Sequence, residues 1–176
     1  MTKIAITGKM CSGKTTIANY LIEKNKNFVK ISFADKVKEI AKDLFDMKDK
    51  NRHLLQSIGT KMREIKEDVW ACYTVKKACK QDFVIIDDLR YKNEFNQVKD
   101  AGFILIKLKI SKKLQVDRLK NLYKNNWQNH IDNLSHQSEL ELDDIDENKY
   151  DLIINVDDEN SVLTKIDNFY NKLKNI

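Results

Sequence analysis

Runs of apolar residues alternate with helical periods along the whole chain. Segments rich in apolar residues lie at 3–7, 28–32, 83–87, 103–109 and 151–156, each the length of a buried strand. Between them the apolar positions recur at helical spacing. Ile17, Tyr20 and Leu21 mark 14–23, and further helices are predicted at 35–45, 61–80, 92–100 and 112–123. Val162, Leu163, Ile166, Phe169 and Tyr170 give the last one, 161–173. The alternation predicts an α/β fold in three layers, a five-stranded, mostly parallel sheet with helices on both faces. Five strands and their crossovers use up the 176 residues, so 1–176 reads as a single domain without linker or repeat. Residues 124–133, Asn-rich and polar, are the least structured stretch and precede an acidic segment at 139–147. A mobile polar insert there is a candidate lid, taken over about 118–139.

The turn from the first strand into the first helix carries the clearest chemistry. Gly8-Lys9-Met10-Cys11-Ser12-Gly13-Lys14-Thr15 fits the P-loop pattern G-x-x-x-x-G-K-[ST], in the strand–loop–helix context that gives the pattern mechanical meaning. Its glycines let the backbone wrap so that several N–H groups converge on phosphate at the positive end of a helix. A nucleoside triphosphate is therefore the expected ligand of Gly8, Lys9, Ser12, Gly13, Lys14, Thr15 and Thr16. Lys14 would neutralise the β and γ oxygens, and the Thr15 hydroxyl would hold Mg²⁺.

A second constellation follows the apolar run Phe83-Val84-Ile85-Ile86, as Asp87-Asp88-Leu89-Arg90. A carboxylate at the carboxyl end of a buried strand is where such a protein orients Mg²⁺ through its water shell. Side chains alternate along a strand, so one of the two aspartates points at the metal, and the residues alone leave the choice open. A guanine-nucleotide switch is disfavoured. Asp88-Leu89-Arg90-Tyr91 lacks the glycine of D-x-x-G, and Thr164-Lys165-Ile166-Asp167 falls inside a helical pattern rather than after a strand. Material for an acceptor pocket lies between the second and third strands. Phe33-Ala34-Asp35 follows a strand at the sheet's carboxyl edge. Arg63 and Trp70, seven residues apart in the helix predicted at 61–80, would share a face as phosphate-binding arginine and stacking platform.

Composition narrows the partners. The net charge of +5 suits phosphate-bearing small molecules and nucleic acid alike, but the lysines are scattered among acidic residues. With no basic block, nucleic acid is not an expected partner. No apolar run approaches the roughly 18 residues that cross a bilayer, and no signal-peptide core precedes the first strand, so a cytoplasmic location without membrane association is expected. Three cysteines without a C-x-x-C pair fit a reducing compartment and no metal framework. Cys72 and Cys79 are expected on one helical face in the core, and Cys11 as a filler of the loop. His53 and His130 carry no detectable partner. His136, in His136-Gln137-Ser138-Glu139, stands where it could touch a phosphate or tie Glu139 in place.

These residues together resemble a family. The P-loop, Ser32-Phe33-Ala34-Asp35-Lys36-Val37-Lys38, Leu55-Gln56-Ser57-Ile58-Gly59-Thr60 leading to Arg63 and Trp70, Asp88-Leu89-Arg90-Tyr91-Lys92-Asn93-Glu94 and His136-Gln137-Ser138-Glu139 resemble the deoxynucleoside monophosphate kinases of large DNA viruses and phages. The similarity runs from the first strand to the last. Leu89, Tyr91 and Lys92 replace Val, Phe and Pro of the family's D-V-R-F-P-N-E run. Asn155-Val156-Asp157-Asp158 resembles its N-D-G loop near adenine but lacks the glycine. The resemblance implies phosphoryl transfer from ATP to a deoxynucleoside monophosphate, supplying DNA precursors. It prefers Asp88 beside Thr15 at Mg²⁺ and implies Phe33, Asp35, Arg63, Trp70, Arg90, His136 and Glu139 on the acceptor side. Lys14, Asp88, Arg90 and Arg118 would act on the transferring group. A phosphomevalonate kinase of the animal type resembles the same P-loop, Arg/Trp segment and aspartate–arginine pair, and an ATP-binding module without turnover is the third reading. The bases accepted depend on pocket shape, and the oligomeric state, a homodimer included, is left open.

Overall fold

The computed structural model describes residues 1–124 and 127–174. In chain order the elements are β1 (Thr2–Gly8), α1 (Lys14–Lys24), β2 (Val29–Ile31), α2 (Ala34–Phe45), α3 (Arg52–Ile65), α4 (Val69–Ala78) and β3 (Phe83–Leu89). They continue as α5 (Lys92–Asp100), β4 (Ile104–Lys109), α6 (Lys112–Leu122), α7 (Trp127–Asp132), α8 (Gln137–Leu140), β5 (Leu152–Asn155) and α9 (Glu159–Lys174). The five strands form one parallel sheet in the order β2-β3-β1-β4-β5. The α/β three-layer fold read from the sequence is the observed one.

Alternation along β1 builds both layers. Ala5 packs with Ile86, Leu105, Phe95 and Val98 on the side covered by α4 and α5, while Ile4 and Ile6 pack with Ile17, Leu21, Ile106 and Ile166 on the side of α1 and α9. β1 is central, and the chain leaves it to β2 on one side before returning to β4 on the other. The carboxyl ends of β3, β1 and β4 therefore open a crevice at a topological switch point, and the glycine loop lies in it. A third apolar cluster, Val37, Ala41, Ile58 and Trp70, joins α2, α3 and α4 beside that crevice.

The helix predicted at 61–80 is two helices. Lys66 is extended at φ −150° and ψ 110°, α3 ends before it, and α4 starts after Asp68. Trp70 explains the break: its indole is buried against α2 and α3 and its Nε1 donates to Gly59 O at 3.1 Å. A straight helix would set those residues ~16 Å apart along its axis. α3 also begins earlier than read, at Arg52, capped by Asn51, whose side chain accepts from Leu54 N at 3.0 Å.

Three further expectations are corrected. Cys72 is half-buried and Cys79 exposed, because α4 turns Trp70, Ala71, Thr74 and Ala78 inward and ends before Cys79. The stretch 124–133 is not structureless: its described residues include α7, which leads into a 3-10 turn, while 125 and 126 lie outside the described residues. His130, read as partnerless, is buried, stacks on Tyr123 at 3.8 Å and meets Arg52 Nη1 at 3.1 Å. Burial and the neighbouring cations Arg52 and Lys50 hold its imidazole below the usual range. Among the described residues no helix is long and apolar enough to cross a membrane.

Candidate active site

The loop after β1 is shaped by two positions that demand glycine. A Cβ on Gly8 would stand 2.8 Å from Leu108 O, and Gly13, at φ +93°, caps α1 in the left-handed region. Cys11 takes φ +63° without being glycine. Helix α6 braces this turn: Arg118 Nη1 donates to Cys11 O at 3.0 Å and Gln115 Nε2 to Met10 O at 2.9 Å. Burial pushes the Cys11 thiol up, against the pull of Lys14 and Arg118, which fits a filler better than a reactive thiolate.

Lys14 is buried, and its ammonium donates to Gly8 O at 2.5 Å and Lys9 O at 2.9 Å. Burial first, then the Arg90 guanidinium, bring it down to about 8, against the carboxylates of Glu139, Asp87 and Asp88. Lys9 pairs instead with Asp143 at 2.8 Å. Ser12 Oγ is buried with no hydrogen-bond partner among the described residues.

Strand alternation separates the two aspartates. Asp87 Oδ2 accepts from Thr15 Oγ1 at 2.8 Å and pairs with Lys30 Nζ at 2.6 Å. Asp88, expected beside Thr15, instead accepts from Phe33 N at 2.9 Å and Ala34 N at 3.1 Å and pins the start of α2. Desolvation pushes its carboxyl above the usual range despite those donors. Thr15 and Asp87 are hard oxygen donors, one hydroxyl and one carboxylate, which fits an ion such as Mg²⁺ that keeps most of its water. Among the described residues no cluster of three or more His, Cys, Asp or Glu could hold a metal on its own.

Two cavities meet at Arg90. The larger, about 850 Å³, is lined by Lys14, Thr15, Thr16, Lys30, Asp35 and Asp87. The smaller, about 240 Å³, is lined by Phe33, Arg63, Trp70, Tyr91, Glu94 and His136. Arg90 lines both. Arg63 and Trp70 do not share a helical face, yet they converge on the smaller cavity from α3 and α4. Trp70 is a wall of it more than an open platform, being only 3% exposed. The Arg63 guanidinium lies 4.5 Å over the Tyr91 ring. Glu94 Oε2 accepts from Arg90 N at 3.0 Å and Tyr91 N at 3.1 Å, and burial pushes its carboxyl up to about 8. Asp35 faces the larger cavity, accepting from Ser32 N at 2.9 Å. His136 caps α8, its ring accepting from Ser138 N at 3.2 Å. Glu139 is buried, pairs with Arg90 and accepts from Met10 N at 2.6 Å. On the far side of the loop an apolar slot of about 470 Å³ lies between Ile17, Leu122, Val156, Val162 and Leu163, with Arg118 at its edge.

The AAA domain family matches residues 4–135, well over half of the chain. The chain belongs to the AAA domain family. A protein of Acanthamoeba polyphaga mimivirus named "Putative deoxynucleotide monophosphate kinase" is 29% identical over 147 residues, covering 61% of this chain and 74% of that protein. Among solved structures, shikimate kinase from Bacteroides thetaiotaomicron superposes with a TM-score of 0.59 at 16% identity, covering 98% of both chains. A gluconokinase from Sinorhizobium meliloti 1021 gives 0.56 at 11% identity, covering 98% of this chain and 95% of its own. The likenesses identify the fold as that of the P-loop kinases.

Several residues at the site of this AAA domain carry little signal in the sequence. Lys30 interrupts the apolar run of β2, and a cation in a buried-strand pattern was the available signal. Gln115 sits among lysines on α6 with nothing to mark that it reaches Met10. Glu94 was legible as part of a motif, but its burial was not.

Proposed function

We propose that the protein is an ATP-dependent nucleoside monophosphate kinase, moving the γ-phosphoryl group of ATP to a deoxynucleoside monophosphate to give ADP and the diphosphate. The observation that carries this reading is the junction at Arg90 of a cation-lined phosphate cleft with a smaller pocket walled by Phe33, Trp70 and Tyr91 and armed with Arg63. A flat, partly apolar pocket with an arginine suits a base and its phosphate. The name of the mimivirus relative supports the same acceptor class.

Lys14 and the loop amides hold the donor phosphates, and the apolar slot beside Arg118 takes the adenine. Thr15 and Asp87 would hold Mg²⁺, which when bound screens charge on the β and γ oxygens. An acceptor phosphate oxygen attacks the γ-phosphorus as its bond to the ADP oxygen breaks, with Arg90 between the two anions. The acceptor is already anionic, so no general base is required, and the protein contributes positioning and charge. Burial favours the neutral form of Glu94, which lessens its repulsion of the incoming phosphate.

The test incubates the purified protein with Mg-ATP and dTMP, dGMP, dCMP, dAMP, their ribose counterparts or phosphomevalonate, and measures ADP release with Lys14→Ala as background. Turnover on a deoxynucleotide that the variant lacks supports the proposal. Turnover on phosphomevalonate alone, or none with ATP still bound, overturns it.

A further inference from the structure

Glu139 carries a buried carboxylate that joins the P-loop to Arg90. Its side chain is 2% exposed, its Oε1 accepts from Arg90 Nη1, and its Oε2 accepts from the Met10 N–H. Arg90 lines both the phosphate cleft and the acceptor pocket, whereas Glu139 lines neither. The carboxylate thus meets both cavities only through the guanidinium, and itself faces a separate cavity of about 270 Å³ shared with Gly8, Lys9 and Arg90.

The surrounding acidic segment is fastened to the same two elements. Asp143 pairs with Lys9 in the loop, Glu141 accepts from Lys92 N at 2.8 Å at the start of α5, and Asp144 pairs with Lys92 Nζ at 3.2 Å. Those exposed pairs carry little energy individually. The Glu139 pair is different, because Glu139 is buried and losing Arg90 strands its charge out of water. An arginine side chain also has several rotatable bonds, and a buried partner selects one orientation of its fork.

We infer that Glu139 is a positioning residue that acts through Arg90. It fixes the guanidinium between donor and acceptor anions, registers it to the P-loop through Met10, and does not touch the acceptor. The role rests on the phosphotransfer reading above. It also gives the acidic segment a function, that of a brace between the loop after β1 and the end of β3.

A double-mutant cycle of E139Q and R90A tests it, with melting temperatures to verify folding. At saturating substrates, E139Q is expected to lower kcat by on the order of tenfold to a hundredfold, with KM for ATP and acceptor held within about threefold. The double variant should be no slower than R90A alone. Losses that multiply, or an E139Q variant with raised acceptor KM and unchanged kcat, would overturn the assignment. Where E139Q does not fold, E139D supplies the comparison, since its shorter side chain cannot reach both donors. If no deoxynucleotide turns over, the cycle is read on ADP release with water as acceptor. Coupling there sustains the role of Glu139 while the acceptor reading falls, and multiplying losses there overturn it.

Discussion

Replacing Glu94 by glutamine isolates the consequence of burying a carboxyl group beside the acceptor pocket. Glu94 is 3% exposed, and burial pushes its carboxyl from 4.5 up to about 8. The Asp88 carboxylate adds to that push, while the N–H groups of Arg90 and Tyr91 and the Arg63 guanidinium oppose it. A carboxyl with a raised folded-state pKa binds more protons folded than unfolded between the two values. Stability is therefore lost as pH rises from 4.5 to about 8 and levels off above. At about 1.4 kcal/mol per pH unit, the loss is on the order of 5 kcal/mol over that range and about 4 kcal/mol from pH 5 upward. Glu94→Gln keeps an oxygen that can accept from both N–H groups and cannot ionise. Urea unfolding at pH 5, 6.5 and 8.5 compares the two proteins, and titrating groups that do not interact with Glu94 cancel in the difference. The variant should be little different at pH 5 and more stable by on the order of 4 kcal/mol at pH 8.5. A difference that stays constant with pH, or a variant less stable at pH 8.5, would refute the reasoning.

Other perturbations separate the residues around the two cavities. Asp87→Asn should raise the Mg²⁺ concentration for half-maximal turnover by on the order of tenfold, because it weakens the partner of the Thr15 hydroxyl. Asp88→Asn should instead act on acceptor KM and stability through Phe33 and Ala34, and a Mg²⁺ titration showing the reverse pattern would contradict both assignments. Arg63→Ala should raise the acceptor KM by on the order of tenfold or more, leaving the ATP KM unchanged. Steady-state kinetics in which only the ATP KM moved would remove Arg63 from the acceptor pocket. Trp70→Ala should cost about 3–5 kcal/mol by denaturant unfolding, since it opens a cavity among Val37, Ala41 and Ile58 and strips Gly59 O of its donor.

Much of this protein follows from signals within a few residues of each other. The order of strands and helices came from apolar runs and periods, and the phosphate loop from eight consecutive residues whose backbone geometry Gly8 and Gly13 dictate locally. Near Arg63 and Trp70 the same logic failed, because periodicity cannot register an extended residue such as Lys66. Burial of Trp70 against Gly59 explains the break, through a contact that no single helical period contains. Asp87 and Asp88 are adjacent in sequence and equal in charge. The pleat of β3 and the placement of α1 and α2 gave Thr15 to one and the α2 amides to the other. Sequence likewise marked Arg90 and Glu139, yet not that they meet. Motif and element are set by short-range chemistry, which a sequence displays. Which side chains share a cavity, which carboxyl is kept from water, and which cation it meets depend on how distant segments pack, and only the tertiary structure decided them.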